Sequence, residues 1–119
     1  MSKYQFVISA GPENPNRATR AVMFASKAVE EGHEVSIFLI DDAVYLANLN
    51  LAGNVKASTG DELMAYLNII LDKEVQVRLC LPCVRSRKVD ESNLPKGWVI
   101  ERGIEAIRTD DQGFKTWVF

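Results

Sequence analysis

Apolar residues along this chain follow two periods. Tyr4 to Ser9, Glu34 to Ile40 and the run Val75, Val77, Leu79 are short and rich in branched and aromatic residues, the signature of strands. Ala18, Ala21, Val22, Ala25, Ala28 and Val29 instead recur every three or four positions, which predicts an amphipathic helix. Asn14 is placed to cap that helix, Pro15 to occupy its first position and Gly32 to end it. Strand, helix and strand in this order imply a parallel, right-handed unit, and the nearly unbroken apolar run of Glu34 to Ile40 fits a strand covered on both faces.

The rest of the chain extends the same plan. Asp41 and Asp42 are expected to cap a short helix through Ala47, and Asn48 to Ala57 reads as an irregular surface segment. That reading leaves Leu46, Leu49 and Leu51 as apolar groups near the surface and predicts a subunit contact there. Thr59 with Glu62 forms a capping-box pattern before a helix whose stripe is Leu63, Leu67, Ile70 and Leu71. Gln76 and Arg78 alternate with the apolar residues of the third strand, so one of its faces looks into a polar cleft or a subunit interface. Trp98-Val99-Ile100 reads as a strand, Gly103 to Thr109 as a brief helix, and Phe114 to Phe119 as a last strand after the Gln112-Gly113 turn. The expectation is one α/β domain over residues 1–119, an αβα sandwich on a mainly parallel five-stranded sheet. In a doubly wound sheet the loops after the first and third strands would meet at the switch point, setting Gly11 to Asn16 opposite Cys80, with Asp41 and Asp42 on the same edge.

Composition narrows the function classes. At 47% hydrophobic and 25% charged, with a formal net charge of -2, nothing global points to nucleic acid or a membrane surface. Met1-Ser2-Lys3-Tyr4 leads directly into a strand, and no apolar stretch is long enough to span a bilayer, so a cytoplasmic protein is expected. Both cysteines, Cys80 and Cys83, stand two residues apart where a strand gives way to a helix containing Pro82. In a reducing compartment such a pair points to redox, sulfur or metal chemistry rather than a structural disulfide. Unpaired N–H groups at the helix start, with Arg85, Arg87 and Lys88 nearby, favour thiolate over thiol, and Arg87 lies four positions after Cys83 on the same helix face. Arg78 and these three cations read equally as a solvated face or as groups that steer an acidic partner. Small buried core thiols are the plain alternative for both cysteines.

Several stretches together resemble the DsrE/DsrF-like family, which includes a subunit of the sulfur relay for tRNA 2-thiouridine synthesis. They are Ser9-Ala10-Gly11-Pro12, the Ala-rich helix, Glu31-Gly32-His33-Glu34-Val35, Val44-Tyr45-Leu46-Ala47-Asn48, and Cys80 followed by Arg87. The resemblance runs nearly end to end. It implies a parallel αβα sandwich, assembly into homotrimers or homohexamers, and a sulfurtransferase-like role in which Cys80 carries a persulfide between donor and acceptor proteins. Cys83 matches only relatives with a CxxC corner. It is the expected resolving thiol, with Arg87 as thiolate support. Cys83 attacking a persulfide on Cys80 would give a disulfide and release sulfide.

Two other function classes stay open at this level. One is a non-catalytic oligomeric binding module; the other is a CxxC dithiol oxidoreductase, although the thioredoxin arrangement puts its CxxC after the first strand of a βαβ unit and not the third. Zinc needs four ligands where one CxxC supplies two, and His33, the single histidine, sits near the opposite edge of the sheet, so no metal site is assigned. Gly11-Pro12 without a GxGxxG or Walker pattern reads as a tight turn, so no cofactor is assigned. Trp98 and Trp117 read as core or interface, and Asp41 or Asp42 as a cap or a proton acceptor.

Overall fold

The structure, a computed structural model, describes residues 1–119. Five parallel strands form one sheet: β1 (Lys3–Ile8), β2 (Glu34–Leu39), β3 (Gln76–Cys80), β4 (Val99–Glu101) and β5 (Lys115–Val118), in the order β4-β3-β2-β1-β5. Five helices accompany them: α1 (Pro15–Glu30), α2 (Leu49–Ala52), α3 (Leu63–Asp72), α4 (Leu81–Ser86) and α5 (Ile104–Asp111), with a 3₁₀ segment over Asp41–Ala47. This is the expected α/β sandwich.

The termini of α1 follow the chemistry of the sequence. The Asn14 side chain accepts the Arg17 N–H at 3.2 Å, and Pro15 takes the first position, where its missing N–H costs nothing. Past the other end Gly32 adopts φ +85°, and the His33 N–H reaches back to the Ala28 carbonyl.

Alternation along the strands divides the sheet into two unlike faces. Phe6, Ile8, Ile37, Leu39, Val77 and Leu79 point toward the packed helices α1 and α3 and join Ala18, Val22, Leu63, Leu67 and Ile70 in one continuous core. Each large side chain buried there is worth about 1.5–3 kcal/mol relative to exposure. The register sets Gln5, Ser36, Gln76 and Thr116 in one row of the other face and Val7, Phe38, Arg78, Val99 and Val118 in the next. The short helix α5 covers that face, anchored by Gln5 Nε2 on the Ala106 carbonyl and by Arg78 on the Thr109 hydroxyl. Arg78 also forms an ion pair with Glu101 at 3.2 Å.

Four sequence expectations are corrected. Leu46 is fully buried in the core, because the 3₁₀ segment turns it inward, while Leu49 and Leu51 are exposed as expected. Asn48 to Ala57 is not wholly irregular: Asn48 caps α2, and Ala52, Val55 and Ala57 are buried. Thr59 and Glu62 form no capping box. Thr59 instead donates to the Asp61 carboxylate and accepts from Arg20, and α3 begins at Leu63 without a side-chain cap. Asp41 and Asp42 are not caps either, but lie inside the first turn of the 3₁₀ segment.

Strand order also changes what faces the cysteines. With β2 between β1 and β3, the order reverses beside β1, between it and β5, so Gly11 to Asn16 is not opposite Cys80. The segment after β2 takes that place. Gly11 packs against it from the far side so closely that a Cβ would overlap the Asp42 carbonyl oxygen.

Candidate functional site

The cysteine corner is built by β2, β3 and α4. Leu39 and Leu79 are paired in register, so the residues just beyond them, Asp41 and Cys80, leave the sheet side by side. Apolar neighbours fix the corner from below, since Leu79 and Val84 are fully buried. Cys80 itself is the N-cap residue of α4, and Pro82 sits in its first turn. α4 has six residues, so the field at its start is smaller than that of a full helix.

Both cysteines are partly exposed residues, neither of them fully buried as the plain reading of core thiols requires, although Cys83 packs against the core on one side. Cys83 Sγ lies 2.9 Å from Cys80 Sγ and donates its S–H toward it. On the other side Cys83 Sγ accepts the Asp41 backbone N–H at 3.1 Å, with the Asp41 carboxylate at 3.9 Å. Asp41 holds this N–H in place from a left-handed conformation, φ +48°, which few residues other than glycine adopt cheaply. Burial, and then the hydrogen bond to Cys80, push the Cys83 thiol up from its ordinary pKa, while the Asp41 N–H pulls the other way. Cys83 therefore keeps its proton, and Cys80 is the sulfur toward which that proton points.

The cations divide among different partners. Arg87 does not contact Cys80; its Nε donates to Asp42 at 2.8 Å and a terminal nitrogen donates to the Ser86 hydroxyl at 3.1 Å. The Asp42 carboxylate raises the Arg87 guanidinium's pKa, and Cys83 is close enough to add to that shift. Arg87 thus borders the pair through Cys83 and pins α4 to the segment after β2. Arg85 pairs with Glu91 at 3.6 Å on the surface, and Arg78 belongs to the α5 face of the sheet, so neither serves the thiols. His33 accepts the Ser2 N–H and packs edge-on against Tyr4, at the start of β2 and the opposite end of the strands from the cysteines.

Asp41 and Asp42 stand on the same edge as the cysteines, as the sequence suggests, but as neighbours of Cys83 and Arg87 and not as helix caps. The signal for them was present: consecutive strands of a parallel unit are usually neighbours, so the residue after β2 was the natural companion of the residue after β3.

No helix is long and apolar enough to cross a membrane. A model of the DsrE/DsrF-like family matches residues 2–117. The chain is 35% identical over 94 residues to an uncharacterised protein of Methanopyrus kandleri, covering 76% of this chain and 72% of that protein. It is 32% identical over 98 residues to an uncharacterised protein of Methanocaldococcus jannaschii, covering 80% of each. Among solved structures the YchN protein of E. coli superposes over the whole of both chains with a TM-score of 0.78 at 24% identity, a likeness of fold. A family match from the first strand to the last, on the same parallel sandwich, places this chain in the DsrE/DsrF-like family.

Proposed function

We propose that this protein transfers sulfur, with Cys80 carrying it as a persulfide and Cys83 as the resolving thiol. The family is in general tied to sulfur relay. The observation that carries the reading for this chain is the sulfur pair: Cys83 holds its proton and directs it at Cys80 Sγ from 2.9 Å. A negative charge on Cys80 is then met by a fixed S–H donor, which is what a nucleophilic sulfur needs.

The chemistry balances without an outside oxidant. The Cys80 thiolate attacks the outer sulfur of a donor persulfide R–S–SH. A bond forms between Cys80 and that sulfur, the donor's S–S bond breaks, and RS⁻ leaves and takes up a proton. An acceptor thiolate repeats the exchange in reverse. Alternatively Cys83 gives up its proton and its sulfur attacks the inner sulfur on Cys80; the Cys80–Cys83 disulfide forms, the persulfide S–S bond breaks, and the outer sulfur leaves as hydrosulfide and takes up that proton. A separation of 2.9 Å is less than 1 Å beyond the length of a disulfide, about 2.05 Å, so this discharge needs little movement.

The same proximity favours one second reading, a dithiol that cycles to a disulfide without carrying sulfur. Intact mass after incubation with a persulfide donor separates the two. Sulfur transfer predicts one added sulfur that requires Cys80 and persists longer in Cys83→Ser. Loss of two hydrogens with no added sulfur marks the dithiol cycle. If Cys80→Ser takes up sulfur as well as the parent, the assignment to Cys80 is wrong.

A further inference from the structure

Beside the cysteine corner lies a cleft of about 490 Å³ that the sulfur chemistry above does not use. Its walls come from α2 and the segment before it on one side and from the end of α4 and the loop after it on the other. Arg87 belongs to both places, lining the cleft while its backbone N–H bonds the Cys83 carbonyl at 3.2 Å and its side chain holds Asp42, the neighbour of Asp41.

The lining has a definite chemistry. Lys88 projects from a left-handed position, φ +54°, and has no carboxylate within ion-pair distance. Arg87 has spent its Nε on Asp42 and one terminal nitrogen on Ser86, which leaves further N–H donors free. The one carboxylate of the lining, Asp90, is turned to the Ser92 N–H at 3.0 Å and its hydroxyl at 2.6 Å. Asn48 uses its side-chain oxygen on the Asn50 N–H, so its NH₂ remains to donate. Leu49, Leu51 and Leu94 supply the apolar floor.

We propose that this cleft binds a small, carboxylate-bearing, peptide-like thiol and presents its persulfide form to the cysteine pair. The carboxylate meets Lys88 and the free donors of Arg87, amide groups meet Asn48 and its neighbours, and the carbon skeleton lies on the leucines. A volume of about 490 Å³ falls in the range of organic ligand sites, roughly 300–1,000 Å³, and is far larger than thiosulfate or hydrosulfide requires. The reaction is the exchange written above, with this molecule as R–S–SH and its thiol as leaving group, so the proposal rests on the sulfur-transfer reading.

The test separates binding from transfer by using the reduced tripeptide glutathione, which carries no transferable sulfur, as a calorimetric probe on the wild-type protein and on Lys88→Gly. Lys88 stands where glycine is the better backbone, so the variant should melt at or above the wild-type temperature, and any lost binding is not misfolding. Saturable binding by the wild type, weakened at least tenfold in Lys88→Gly, is expected. Sulfur uptake should then saturate with glutathione persulfide and show a raised half-saturation concentration in Lys88→Gly. Equal binding by both proteins, or none by the wild type, overturns the cleft assignment even where sulfur is taken up. Binding with the expected loss but no added sulfur keeps the cleft and removes the persulfide reading. Self-association that Leu51→Asp abolishes, with no glutathione bound, would give the cleft to a second copy of the chain and likewise overturn the proposal.

Discussion

Two polar clusters sit on this fold, and they are built to opposite ends. Around Asp61 every oxygen is engaged: Oδ2 takes Arg20 at 2.9 Å and the Tyr66 hydroxyl at 2.7 Å, and Oδ1 takes Thr59. Arg20 comes from α1 and Tyr66 from α3, so the cluster fastens the two core helices and the loop between α2 and α3. Around Cys80 and Cys83 the partners are fewer, and the shortest hydrogen bond of each sulfur is to the other sulfur. A closed cluster of strong acceptors and donors holds structure. A pair of partly exposed thiols, with one proton between them and donors on one side only, retains reactivity.

The sharpest way to break the comparison is to exchange the outcomes of mutation at the two places. Cys80→Ser should lower sulfur uptake by at least about 100-fold, because an alcohol does not replace a thiolate nucleophile, while leaving thermal unfolding nearly unchanged. A large drop in melting temperature instead would make the cysteine corner a structural cluster like the other.

Gly11→Ala should affect both properties. The added methyl overlaps the Asp42 carbonyl oxygen, a backbone atom with nowhere to retreat, so a loss of about 3 kcal/mol in chemical denaturation is expected. Because Asp41 and Asp42 form one wall of the thiol site, the variant should also change the relative alkylation rates of the two cysteines.

Asp61→Asn tests the closed cluster by pH. Hydrogen bonds from Arg20, Thr59 and Tyr66 hold the Asp61 carboxyl far below the usual carboxylate range. A depressed folded-state value means the contribution is complete above the unfolded value of about 3.9 and is lost progressively as pH falls below it. The wild type should therefore lose stability on acidification faster than Asp61→Asn, with the two curves furthest apart near neutral pH. Parallel curves down to pH 2 would show that the cluster contributes nothing through ionisation.

Smaller effects sharpen the thiol side. Burial and the bond to Cys80 raise the Cys83 pKa, so in a pH series of iodoacetamide labelling read by peptide mass, Cys83 should react only at higher pH than a free thiol and after Cys80. The reverse order would transfer the carrier role to Cys83. Lys88→Gly should gain about 1 kcal/mol, because φ +54° costs a side chain what it does not cost glycine.

The fold was largely legible in the sequence because its cues are local. Asn14, Pro15 and Gly32 delimit α1 through their own backbone chemistry, and the strands declare themselves by apolar period. Errors arose where a local motif met a distant partner. Thr59 and Glu62 match a capping box, but Arg20 on α1, 39 residues away, recruits Thr59 into the Asp61 cluster. Leu46 looked exposed because nothing in its own segment shows that the 3₁₀ turn faces the core.

By itself, the sequence determined the α/β class, the parallel unit and the position of Cys80 and Cys83 at a strand-to-helix corner, since each depends on residues close together in the chain. Only the tertiary structure decided that the segment after β2, and not the one after β1, stands beside the cysteines, that Arg87 goes to Asp42, and that Arg78 lies on the other face of the sheet. Strand order governs all three. It is set by how the helices pack across the finished sheet, a balance of long-range burial that no single stretch of residues encodes.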